Sequence, residues 1–211
     1  MRSKYKKYLE HDYHFDKTMW IAICCFIIVI AGMFGFYYEY IFYYFNGGMK
    51  QFYWRGGNFL PWINIYATGS LMICFLTYRY RKKPWKVFLI SFIACGILEY
   101  ISGAGMYYLR GLRCWDYNKE ILNFLNINGF VCLRSVSFFG LSSLFLIYVI
   151  LPLCFYLARH MNRYVFMGMS FTLCGIILID EFYNLLFARI FHLPRASTIY
   201  KKLGVHYVRF K

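Results

Sequence analysis

Five long apolar stretches, at roughly 18–44, 61–78, 85–109, 130–157 and 164–188, alternate with short polar ones along this chain. A helix needs about 20 mainly apolar residues to cross a hydrocarbon core. The pattern therefore predicts an all-α, polytopic transmembrane bundle of about five spans, over residues 18–188. The first stretch is long enough to emerge as helix beyond the bilayer. Residues 1–17 precede the bundle as a polar arm containing Tyr, Lys and His, and 189–211 follow it as a basic tail with Arg189, Arg195, Lys201, Lys202, Arg209 and Lys211. Loops 45–60 and 110–129 join spans on one side of the bundle.

Composition agrees with the pattern. Of 211 residues, 61% are hydrophobic, only 16% are charged, and the mean hydropathy is +0.45; soluble domains carry about 25% charged residues. The basic start (Arg2, Lys4, Lys6, Lys7) runs into an apolar stretch too long for a signal-peptide core, with no small-residue cleavage site. A net charge of +15 would suit a nucleic-acid partner were it gathered in one domain. Here the cations stand between apolar stretches, as topology signals and lipid-headgroup contacts do. The expected surroundings are membrane lipids, not nucleic acid.

Orientation follows from the same cations. The arm with Lys17, the 79–86 connection and the 158–163 connection carry twelve Lys and Arg, against five in the loops of the other side. That bias places the N-terminus in the cytoplasm. Five spans leave the basic tail outside; a re-entrant last segment would return it to the cytoplasm.

Four of the nine acidic residues fall in apolar stretches: Glu39, Glu99, Asp180 and Glu181. Charge is costly in hydrocarbon, so an intramembrane carboxylate marks a functional site until shown otherwise. With the N-terminus inside, all four lie in the outer half of the bundle. Arg134 enters the fourth stretch from the same side, as does Asn64 after Pro61 in the second. The buried polar groups are thus expected to converge in one outer layer beneath Arg55 and Asp116. Gly96, Glu99, Gly103 and Tyr107 share one helical face, and Gly32, Gly35 and Glu39 make a similar stripe. Small residues there let a second helix or a ligand approach. A purely structural role competes: packing glycines, with Glu99 neutralised by Arg134 or by a proton. For Asp180, Glu181 and Asn184 the competing role is a solvated helix end.

Trp115-Asp116-Tyr117, followed by Asn126-Ile127-Asn128-Gly129, is more polar than an interfacial aromatic belt requires and fits a loop folded back over the bundle. Six cysteines lie in apolar stretches; Cys114 and Cys132 flank this loop and read as unpaired thiols. There is no CxxC pair, so no metal is expected, and histidines sit in flanks or connections. No cofactor is implied. GxxxxGK[ST], HExxH and GxSxG are all missing, so the chain carries no P-loop ATPase of its own and no recognised catalytic motif.

At these residues the chain resembles the bacterial family of small membrane proteins labelled putative ABC-transporter type IV, or ABC transporter permease. The family pattern Arg-Gly-Phe-Leu-x-Gly-Pro-x-x-Pro-Ile-Tyr-Gly-x-Gly is matched without a gap by Arg55, Gly56, Pro61, Ile65, Tyr66 and Gly69. Leu98-Glu99-Tyr100, Trp115-Asp116-Tyr117, Asn126 to Gly129 and Cys132-Leu133 follow in the family's order. The likeness covers roughly 30–155. Asn64 stands at the second Pro, Gly57-Asn58 at Phe-Leu, and Asn118 at a Ser, which marks a divergent member.

The resemblance implies a multi-span component of a transporter in the bacterial cytoplasmic membrane; lacking an ATPase motif, it would need a separate ATP-binding subunit, or ion coupling through Glu99. In that reading a polar or amphiphilic small molecule sits in the outer half. Glu39 and Glu99 would anchor it, with Arg55 and Arg134 as counter-charges and Trp115, Asp116 and Tyr117 as a gate. Asn64, Tyr66, Asn126, Asn128 and Cys132 would line the site, with Asp180 and Glu181 more peripheral. Two other readings remain open: a membrane enzyme acting on a lipid or lipid-linked substrate at the outer leaflet, and a scaffold subunit. A homo-oligomer is compatible with each.

Overall fold

The computed structural model describes residues 8, 12–46 and 53–207. Most of the arm, Lys50 in loop 45–60, and Arg209 and Lys211 of the tail lie outside the described residues. The helices are α1 (Lys17–Asn46), α2 (Asn64–Thr77), α3 (Pro84–Arg110), α4 (Leu133–His160), α5 (Arg163–Ile190) and α6 (Ala196–Lys202). Two residues of loop, Tyr53–Trp54 (β1), pair in parallel with His206–Tyr207 (β2).

Local chemistry sets the boundaries. Asp16 accepts from the Met19 amide at 2.8 Å at the start of α1 and also pairs with Arg163 at the start of α5. Pro84 opens α3 and Gly111, at φ 63°, closes it. Cys132 caps α4 in a reciprocal arrangement with Ser135. Asn162 caps α5 through the Tyr164 amide at 2.9 Å.

The chain crosses the bundle five times. α1, α3, α4 and α5 are each long and apolar enough to span a membrane. The second predicted span is shorter: 14 residues of α-helix continued by the 3₁₀ turn Tyr78–Tyr80. Pro61 and the loop before it use up the apolar positions that periodicity alone would assign to helix. α1 packs against α2 and α5, α3 packs against α2 and α4, and the second half of α4 returns to α1.

The tail lies with loop 53–60 at the end away from Asp16. Tyr200 donates to the Phe59 carbonyl at 2.7 Å and its ring lies tilted against Trp54, centroids 4.7 Å apart. The described part of the tail thus lies at the end of the bundle opposite Asp16.

Two close approaches position the polar end. A Cβ on Gly32 would stand 1.9 Å from Trp62 Nε1, and one on Gly35 2.2 Å from the Tyr66 ring. The glycine stripe of α1 is the bed on which Trp62 and Tyr66 lie. Trp62 donates to the Ile28 carbonyl at 3.0 Å, and the Ile63 amide donates to the Gly32 carbonyl at 3.1 Å. On α3 the buried stripe is Val87, Ser91, Cys95, Glu99 and Gly103, one residue per turn, which aims Glu99 at α4.

Candidate functional site

Glu99 is 3% exposed. Its carboxyl receives the Tyr117 hydroxyl on Oε1 at 2.5 Å and contacts Ser135 Oγ through Oε2 at 2.8 Å. Ser135 Oγ also lies 2.8 Å from the Cys132 carbonyl and accepts from the Cys132 amide at 3.2 Å. No arginine or lysine pairs with Glu99 among the described residues.

The other two carboxylates of this layer differ. Glu39 accepts from Arg55 Nε and Nη2, both at 2.8 Å, and from Tyr66 at 3.3 Å. Glu120 binds Arg134 and the Tyr43 hydroxyl. Arg55 stacks on the Tyr43 ring at 4.0 Å, while Arg134 lies over Phe42 at 4.6 Å and over Tyr117 at 5.4 Å. Arg134 therefore pairs with Glu120, and the expectation that it neutralises Glu99 is corrected. A loop carboxylate reaches it first and leaves Glu99 to hydroxyl groups. The inventory is three carboxyls, two guanidiniums and a ring of tyrosines.

Charge states outside the spans follow from these contacts. Burial, and then the neighbouring Glu99 carboxyl, hold the Tyr117 hydroxyl well above its ordinary pKa, so it remains a donor. Burial works against the Arg55 guanidinium, but Glu39 outweighs it and the pKa is raised.

Asp116 belongs to the architecture of the loop. It is 4% exposed and pairs with Arg113 at 3.1 Å. It also accepts from the Asn118 amide at 3.1 Å and the Asn118 side chain at 2.9 Å. Asn126 extends the chain of bonds, donating to Asn118 at 2.7 Å and accepting from the Gly129 amide at 2.8 Å. Asn128 is exposed; its carbonyl takes Arg113 at 2.6 Å. Gly129, at φ 75°, has Arg113, Asn118 and Asp116 atoms all within 2.6 Å of where a Cβ would stand, so only glycine closes this turn. Trp115 donates to the Phe130 carbonyl at 2.8 Å and lies against Gly103 of α3. The polar loop is thus folded onto the bundle, and Tyr117 is the member that reaches the buried carboxyl. Cys114 and Cys132 are both free thiols.

Asp180 and Glu181 form a second group, apart from the first. Asp180 accepts from the Phe59 and Leu60 amides at 3.0 and 2.7 Å and from Asn184 at 2.7 Å. Glu181 takes Asn58 at 2.6 Å and Asn64 at 2.9 Å. Asn184 in turn accepts from the Ala196 amide at 2.8 Å, fastening the tail. These residues clamp loop and tail to α5. The single layer expected from the sequence is two groups, linked by the stretch from Arg55 to Asn64.

Tyr43, Glu120 and Ser135 complete the first group and escape the motif reading. Tyr43 stands one turn after Glu39, and Ser135 stands at capping-box distance from Cys132, so both had a spacing signal. Glu120, beside Lys119 in a loop, had none.

No curated protein and no solved structure matches the chain. The sequence profile of the family described as Putative ABC-transporter type IV matches residues 25–185, from within α1 to within α5. An integral membrane bundle with that match over most of its length belongs to that family.

Proposed function

We propose that the protein is the membrane-spanning component of an ABC-type transporter, binding a polar or amphiphilic solute beside the Glu39–Arg55 and Glu120–Arg134 pairs in the outer half of the bundle. Glu99 is its working group. A separate ATP-binding subunit supplies energy, in keeping with the missing P-loop.

The observation that carries this reading is that, among the described residues, no cation pairs with Glu99. Its two neighbours satisfy either protonation state without moving a heavy atom. When Glu99 is ionised, Tyr117 and Ser135 both donate to it. When it is protonated, Glu99 donates to Ser135, and the Ser135 hydroxyl rotates to the Cys132 carbonyl, which already accepts from Val136. A buried carboxylate without a counter-ion is strongly disfavoured. Neutral Glu99 also leaves the layer with two carboxylates against two guanidiniums. It can therefore take up a proton at rest and yield it when a cationic or hydrogen-bonding solute arrives.

Native mass spectrometry on gently extracted protein tests this, wild type beside Glu99→Gln. The expected result is a bound small molecule and an ATP-binding subunit on wild type, with the small molecule lost from the variant. Equal ligand on both removes Glu99 from the mechanism. Neither ligand nor subunit on wild type leaves a scaffold role instead.

A further inference from the structure

The connection between α3 and α4 is built the opposite way from a loop in water. Ile121, Leu122, Phe124, Leu125 and Ile127 are between 49% and 78% exposed, whereas exposed loop positions are ordinarily polar. The polar groups of the same stretch are turned to the protein. The Ile121 carbonyl accepts from Arg134 at 2.8 Å and the Phe124 carbonyl from the Leu133 amide at 2.9 Å. The Ile127 amide donates to the Val131 carbonyl at 2.9 Å, and Asn126 bonds to Asn118 and to the Gly129 amide. Leu122 and Leu125, at φ 53° and 50°, occupy the left-handed region that side chains of this kind seldom enter. The backbone is thus fastened to the start of α4 while five large apolar side chains stand outward.

We infer that residues 121–127 are an interfacial anchor, seated in the leaflet at this end of the bundle where anionic headgroups meet acyl chains. Depth and charge both identify the lipid surface as the partner. The α4 span has 28 residues, about 42 Å at the helical rise, against about 30 Å of hydrocarbon and about 40–45 Å with both headgroup layers. A span of that length centred on the bilayer puts Leu133 at headgroup depth, and the bonds from Leu133 and Arg134 hold residues 121–124 beside it. Both acids of the connection are taken, Asp116 by Arg113 and Glu120 by Arg134. Arg110 and Lys119 are exposed, with Lys119 Nζ 3.7 Å from Asp116. Apolar side chains flanked by exposed cations suit the boundary of an anionic leaflet. A second copy on the same patch would bring those cations against their own counterparts. The loop also carries Tyr117, which reaches Glu99, and Glu120, which holds Arg134 and Tyr43, so the leaflet steadies the polar layer from outside. The inference rests on the chain being an integral membrane protein, not on the transport reading.

Photo-crosslinking tests this. The photoreactive p-benzoylphenylalanine replaces Phe124 in the full chain, which is reconstituted in vesicles of phosphatidylethanolamine and phosphatidylglycerol in equal parts, and adducts are identified by mass spectrometry. The same group at Ile179, exposed in the middle of the α5 span, is the lipid-facing reference. Lipid adducts at Phe124 should come within a few-fold of those at Ile179, with a larger share of phosphatidylglycerol. The double variant Arg110→Gln, Lys119→Gln should keep the adducts and bring that share down to the Ile179 value. If the chain does not fold with the group at Phe124, Leu125, the most exposed of the five, takes it instead. Chain-to-chain adducts in place of lipid adducts mean that a second copy covers the loop, and adducts of neither kind mean that it stands in water; either result overturns the inference. Equal phosphatidylglycerol shares at Phe124 and Ile179 in the otherwise unaltered chain overturn the anionic assignment. The transport reading is judged separately, on the Glu99→Gln comparison.

Discussion

Arg55 and Glu39 hold each other in place at the boundary of the bundle, and neither is easily spared. Arg55 is 6% exposed and has both Nε and Nη2 on one carboxylate oxygen. Removing one member of a buried pair strands the other, at about 3–5 kcal/mol. Arg55→Ala should cost that much in denaturant unfolding of the detergent-solubilised protein. The double variant Arg55→Gln, Glu39→Gln should be more stable than either single variant, because no charge is stranded. Additive costs in that cycle would show that the two side chains act independently. Glu99 differs in kind: its partners are hydroxyl groups, so Gln at that position keeps most of its bonds and should leave the fold intact.

At the scale of the helix, the glycine bed of α1 decides how close α2 can come. With a Cβ at Gly32 only 1.9 Å from the Trp62 indole, Gly32→Ala forces the ring out of its slot and breaks its bond to Ile28. Overpacking of this sort costs about 1–3 kcal/mol. The expected outcome is a lowered Tm with a red-shifted tryptophan emission as Trp62, now 4% exposed, meets water. Unchanged emission would mean that α1 can shift to accommodate the methyl. Much of this level was legible in the sequence. Helix positions followed from apolar length, and the stripe of Gly32, Gly35 and Glu39 fell on one face by periodicity alone. What lay on that face was not legible. Trp62 and Tyr66 arrive from a stretch whose Pro61 shortens α2, and periodicity does not say which helix a given stripe meets. The same limit explains the two-group arrangement. Asp180 accepts from loop amides and Glu181 from the Asn58 and Asn64 side chains, apart from Glu39, and depth along an axis carries no information about direction around it. Glu120 was illegible for a third reason: a loop has no period, so nothing linked it to Arg134.

Across the whole molecule, the connections at one end carry Asp16 and Arg163, and the other end gathers loop 53–63, loop 111–132 and the tail. The family match and the apolar helices make this an integral membrane protein. If all five helices of the bundle cross the membrane, the two ends of the chain are expected on opposite faces. Reporters that are active on only one side, fused in turn to each end, should give opposite signals, with the N-terminal fusion reporting cytoplasm. Signals on the same side would mean that α2, with its 14 α-helical residues, fails to cross. The arrangement also explains a division of labour among the polar residues. Asp116, Asn126, Asp180 and Glu181 spend their bonds on fastening loops and tail, while Glu99 is reached, among the described residues, by the hydroxyls of Tyr117 and Ser135, and the proposed function gives it an exchangeable proton.

That exchange is the claim on which the functional account stands, and infrared spectroscopy of the reconstituted protein reads it directly. At neutral pH the wild type should show a protonated-carboxyl carbonyl band that is missing in Glu99→Gln and that shifts in Tyr117→Phe. A wild-type spectrum identical to that of Glu99→Gln in this region would mean that Glu99 is ionised at rest, and would contradict the proposed role.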